Sequence, residues 1–222
     1  MAAQWPRYWV WIAPERTPLA FLEALLLFSA ALLSGLLALL AALQERPSHE
    51  RRAWVFGFLG FAFLGADERF ALHERLRDNL LADVGVALPW GAPGDYLLLL
   101  YLGAALALLP TFVALLRGDR LALGMFAAGV VLSAIVVLAD SLDVRAMTPA
   151  TERLEQSLEE VLEALAGSLL AGSLLVHLAA RLARLVKLGQ PASFPSWEPS
   201  PAESGSKPAP SSRMSSGVAS SR

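Results

Sequence analysis

The stretch 53–78, AWVFGFLGFAFLGADERFALHERLRD, decides how many times this chain passes through a bilayer. Its first part, Ala53–Ala66, is apolar throughout, and the rest, Asp67–Asp78, is dense in charge. The apolar part rises only about 21 Å at ~1.5 Å per residue, short of a hydrocarbon core about 30 Å thick. A spanning helix here therefore has to carry Asp67, Glu68 and Arg69 inside the membrane boundary. An ion at bilayer depth costs at least about 2.5 kcal/mol and normally faces a bundle interior or a wet cavity.

The rest of the chain supports a membrane setting. Of 222 residues, 55% are apolar and 17% charged, against about 45–50% and about 25% in soluble domains. Leu19–Leu43 carries only Glu23, and Tyr96–Leu116 and Leu121–Ala139 carry no charge at all. Val161–Val186 is also apolar but is interrupted by Glu163, His177, Arg181 and Arg184. The pattern predicts an all-α polytopic bundle with five transmembrane helices near 19–43, 53–78, 96–116, 121–143 and 155–186. The first run is too long for a signal-peptide core and lacks a small-residue cleavage site, so it reads as a retained anchor. With no cysteine, disulfides, thiolate metal sites and thiol nucleophiles are excluded together. The chain divides into a membrane domain, 1–189, and a tail, 190–222. The tail holds eleven Ser and six Pro and cannot bury enough apolar surface to order itself.

The charges are segregated. The turn QERPSHERR (44–52), the turn RGDR (117–120) and the exit of the last span through Arg181, Arg184 and Lys187 are basic. The opposite ends carry Asp67, Glu68, Glu74, Asp78, Asp83 and Asp95 in one loop and Asp140, Asp143, Glu152, Glu155, Glu159 and Glu160 in another. Basic short loops stay on the cytoplasmic side, which places the N-terminus outside and the C-terminus inside. Trp5, Tyr8, Trp9, Trp11, Trp90 and Tyr96 then form an outer aromatic belt. The expected location is a cell membrane, most naturally a bacterial inner membrane. Lipid is the expected partner, nucleic acid is not, and protein partners are not legible.

Helical spacing brings the acids together. Asp67, Glu74 and Asp78 share one face, Glu152, Glu155, Glu159 and Glu163 recur at three and four, and Asp140 and Asp143 are three apart. Glu23 joins them from the first span. Asp67, Glu68, His73, Glu74, Asp140, Asp143, Glu159 and Glu163 are therefore candidate ligands for a divalent transition metal such as zinc, manganese or iron. Of these, Asp67, Glu74, Asp140 and Glu159 are expected to point inward and lie close together. Known carboxylate-bridged bundles use Glu-x-x-His, which DERFALHE does not contain. Two other readings stay open. The acids could relay protons or cations toward His177, about 21 Å from Glu163 along the helix, or they could be solvated helix ends in a protein with an assembly role. His177 is expected to hydrogen-bond a neighbouring helix, and His49 to sit at the surface.

An apolar run ending in Asp67–Glu68, then His73–Glu74, then the paired Glu159 and Glu160 at the start of a last span resembles uncharacterised multi-pass membrane proteins of bacteria. That resemblance implies no activity.

Overall fold

The computed structural model describes residues 17–76, 79, 96–140 and 148–189. The expected aromatic belt apart from Tyr96, the tail 190–222, and Asp78, Asp83, Asp95 and Asp143 lie outside them, as do the side chains of Tyr96, Glu74 and Asp140. The elements are α1 (Pro18–Leu43), α2 (Ser48–Phe70), α3 (Leu72–Leu76), α4 (Tyr96–Leu116), α5 (Arg120–Asp140) and α6 (Pro149–Gly189), with no strand among the described residues. Pro18–Leu43, Leu99–Leu116, Arg120–Ala139 and Pro149–Lys187 are long and apolar enough to cross a membrane. α2 is not in that set, because Glu50, Arg51 and Arg52 at one end and Asp67–Arg69 at the other shorten its apolar stretch.

α1 starts where local chemistry dictates. The Thr17 hydroxyl oxygen accepts the Ala20 N–H at 3.2 Å, and Pro18 supplies a fixed φ at the first helical position. The helix is inside-out by aqueous standards. Leu22, Leu25, Leu32, Leu36, Leu39 and Leu43 are exposed, while Glu23, Ala24, Ala30, Ala31, Ser34, Ala38 and Ala41 are buried. Large apolar side chains turned outward suit lipid, and small residues turned inward let helix backbones approach. α1 packs most closely with α2 and α6, and α6 with α5, while α4 touches α5 and α2 only lightly. The largest rings, Trp54, Phe112 and Phe126, fill the space left between these helices; Trp54 meets Phe112 edge-on at 5.6 Å and Phe112 stacks on Phe126 at 5.6 Å.

Two boundaries differ from expectation. α2 does not run unbroken through 53–78. It stops at Ala71, which adopts the left-handed conformation at φ 48° and ψ 49°, and the chain resumes as the five-residue α3. The cause is Asp67, whose carboxylate accepts the His73 N–H at 2.7 Å and pairs with His73 Nδ1 at 2.9 Å. A carboxylate that captures a backbone donor six residues on competes with continuation of the helix. From Ala53 to Phe70 α2 already rises about 26 Å, so a near-complete crossing does not need the rest of the motif. α6 is longer than expected, 41 residues or about 60 Å, and so runs well past a bilayer core.

Two stability measurements check this account. A Cβ on Gly129 would lie 2.8 Å from Leu170 Cγ and 3.2 Å from the Ala166 carbonyl oxygen, whereas one on Gly124 of the same helix meets nothing within 4 Å. Gly129→Val is expected to destabilise the purified protein by about 1–3 kcal/mol, and Gly124→Ala to stabilise it by about 0.5–1 kcal/mol. Equal effects would show that α5 and α6 are not in contact at Gly129. Likewise Asp67→Ala should destabilise by about 1–3 kcal/mol, while Ala71→Gly, which relieves the left-handed residue, should stabilise by about 1 kcal/mol. A loss of stability in Ala71→Gly would mean that α2 continues straight.

Candidate metal centre at one end of the bundle

Glu23 lies in the second turn of α1, on the face turned into the bundle, and is only 3% exposed. Opposite it, α6 presents Glu160 and Glu163, three apart and therefore on one face. One carboxylate oxygen from each of the three lies within 4.8 Å of the others. Among the described residues no donor reaches either oxygen of Glu23, and Oε2 of Glu160 is also buried without a partner. The neighbours are more carboxylates: Glu68 of α2 interacts electrostatically with both Glu23 and Glu160, and Glu159 and Glu163 with Glu160.

This arrangement has a definite electrostatic demand. Two unit negative charges 4.8 Å apart repel by about 3 kcal/mol at an effective dielectric of ~20, and buried carboxylates without donors cost more. A proton or a cation placed between Glu23 and Glu160 relieves this repulsion. The spacing fits a cation, since oxygens bound to one ion at about 2.0–2.5 Å lie at most about 5 Å apart. An all-carboxylate donor set is hard, which suits manganese, magnesium or calcium better than zinc.

The eight candidate ligands read from sequence fall into separate places. Glu163 belongs to the three-carboxylate group, and Glu68 and Glu159 stand beside it. Asp67, 5% exposed, and His73 are engaged with each other across the Ala71 turn. Glu74 is on α3 and Asp140 ends α5, their side chains outside the described residues, as is all of Asp143. Glu160 was not among those ligands, and Glu23 entered only as an accessory. The signals were present: Glu23 is the only ionisable residue in the first long apolar run, and Glu160 and Glu163 have helix spacing.

A second polar cluster occupies the opposite end. Glu50 at the start of α2 pairs with Arg181 of α6, both largely buried. One turn deeper His177, 3% exposed, lies against Trp54 with ring centroids 5.7 Å apart. Among the described residues neither His177 nitrogen has a hydrogen-bond partner, so the expected bond to a neighbouring helix is replaced by ring packing on Trp54. His49 is exposed, as anticipated. The α6 interface with α5 is tied at this level by the Ser173 hydroxyl, which donates to the Ala122 carbonyl at 2.7 Å.

No curated protein and no solved structure matches the chain. A family model does: it covers residues 4–178, which include Glu23, Glu68, Glu160 and Glu163, and by this match the chain belongs to the family described as domain of unknown function DUF8692.

Proposed function

We propose that this protein is a five-span membrane protein that holds a divalent cation of the manganese class on Glu23, Glu160 and Glu163. The carrying observation is Glu23, buried in the bundle with both oxygens lacking donors among the described residues and two further carboxylates within 4.8 Å. α2 serves as the fifth span, paired with α1 in a hairpin. The cation lies toward the outer face, with the N-terminus outside, residues 1–189 forming the membrane domain and 190–222 a cytoplasmic tail. This orientation is supported by the basic turns, which cluster at one end. The 44–52 turn joins α6 there through Glu50 and Arg181, and the 117–120 turn through Ala122 and Ser173.

A binding site is better supported than a proton or cation relay. Below the carboxylates the next buried polar groups on α1 and α6 are Ser34 and Ser173, eleven and ten residues on from Glu23 and Glu163, or about 15 Å along the axis. The buried residues between them are Ala24, Ala30, Ala31, Ala166, Gly167, Leu170 and Ala171, and hydrocarbon-like walls do not hold the water a relay needs. An enzyme reading gains nothing specific from these residues.

Metal analysis tests the proposal. Detergent-purified protein, stripped with chelator and titrated with Mn²⁺, should bind about one ion per chain, with affinity lowered at least ~tenfold in Glu23→Gln and Glu160→Gln. His73→Ala should change affinity little, because His73 is engaged with Asp67. Binding of no divalent cation by folded protein would mean that protons neutralise the cluster. Orientation is checked separately: Ser48→Cys, in a chain without other cysteines, should react with a membrane-impermeant maleimide only after cells are permeabilised. Labelling in intact cells would invert the topology.

A further inference from the structure

Beside the carboxylates lies an open cavity of about 380 Å³ that the cation site does not use; Arg69 and Arg75 on its wall are exposed. Thr17 and Phe21 of α1 form one wall, Arg69 and Phe70 at the end of α2 with Arg75 of α3 form the other, and Glu68 also lines it. The left-handed turn at Ala71 is what brings the two arginines to the same space from either side of a helix break. Among the described residues neither guanidinium is paired with a carboxylate. The first turn of α1, capped by Thr17, adds the positive end of a 26-residue helix.

We infer that this cavity binds a phosphate group, and that its occupancy is coupled to the cation held by Glu23, Glu160 and Glu163. Two guanidiniums and a helix N-terminus match the geometry and charge of phosphate oxygens. The volume lies within the range of small-ligand sites, about 300–1,000 Å³, and leaves room for an organic substituent. Phe21 and Phe70, 61% and 52% exposed, flank it with apolar surface, so the substituent is apolar. Phosphate on an apolar carrier describes a lipid headgroup as well as a soluble phosphomonoester. The coupling follows from Glu68, which both lines the cavity and lies against Glu23 and Glu160. With the acids uncompensated, their negative potential opposes an anion; a bound divalent cation offsets most of the charge on the three glutamates and weakens that opposition. The coupling, though not the cavity, rests on the cation site proposed above.

The experiment uses full-length protein in detergent, with and without Mn²⁺, titrated calorimetrically with inorganic phosphate and with dioctanoyl phosphatidic acid. At least one probe should bind, at least ~tenfold more weakly in Arg69→Gln/Arg75→Gln and more tightly when Mn²⁺ is present. The Arg69→Lys/Arg75→Lys variant, keeping charge but losing the bidentate fork, should fall between. Mn²⁺ binding and thermal unfolding of these variants should match wild type, which separates a lost ligand site from a lost fold. Binding of phosphatidic acid alone identifies a lipid headgroup, and binding of both probes equally identifies a soluble phosphate. The inference is overturned if folded, Mn²⁺-loaded protein binds neither probe, or if the glutamine variant binds as well as wild type. If Mn²⁺ does not bind but arginine-dependent phosphate binding persists, the cation site and the coupling fail and the cavity assignment stands.

Discussion

A carboxylate in the first apolar helix cannot face lipid, and the rest of the bundle follows from that constraint. Burying Glu23 fixes the rotation of α1, because the residues sharing its face then point inward with it. Most of those residues are small, Ala24, Ala30, Ala31, Ser34, Ala38 and Ala41, with Leu37 and Leu40 toward the far end. A helix with such a face can pack closely against two neighbours at once, and α1 does so against α2 and α6. The leucines on the other side are committed to lipid by the same rotation. Had Glu23 been apolar, either face of α1 could have been turned inward at modest cost.

The polar groups sort to the two ends of this scaffold, with a dry middle. At one end acids from α1, α2 and α6 meet, and the Glu23 oxygens and Oε2 of Glu160 have no donor among the described residues. At the other, Glu50 and Arg181 neutralise each other's charge, and Trp54 and His177 pack as rings beneath them, with Trp54 Nε1, both His177 nitrogens and one Arg181 nitrogen lacking hydrogen-bond partners among the described residues. A buried pair that neutralises itself is weak evidence of function. A cluster of one sign built around a buried Glu23 points outward to a ligand, which is why the functional reading rests on the first end rather than the second.

Sequence reasoning reached the helices but not the partnership of each acid. Asp67 and His73 are six apart, a separation that puts them on different faces of a continuous helix; they meet only because the chain breaks at Ala71. Nothing local favours a left-handed alanine, so the break comes from the contact it permits. On α6, Glu159, Glu160 and Glu163 are all near the right level, and spacing cannot say which of them faces α1. That depends on rotation of α6, set by close packing of Leu170 on Gly129 and of Leu26 beside Gly167.

By itself the sequence determined the all-helical apolar architecture, the inward pull of Glu23 on α1, and the segregation of acids from basic turns. These are properties of composition and period, decided by what each residue costs in lipid. Only the tertiary structure decided that Glu23, Glu160 and Glu163 form the close group, that Asp67 is spent on His73, and that two arginines share a cavity beside them. Such pairings depend on helix rotation and on one backbone reversal. Rotation is set by packing between helices distant in sequence, Leu26 beside Gly167 and Leu170 on Gly129, and the reversal by the Asp67–His73 contact that a continuous helix would not allow.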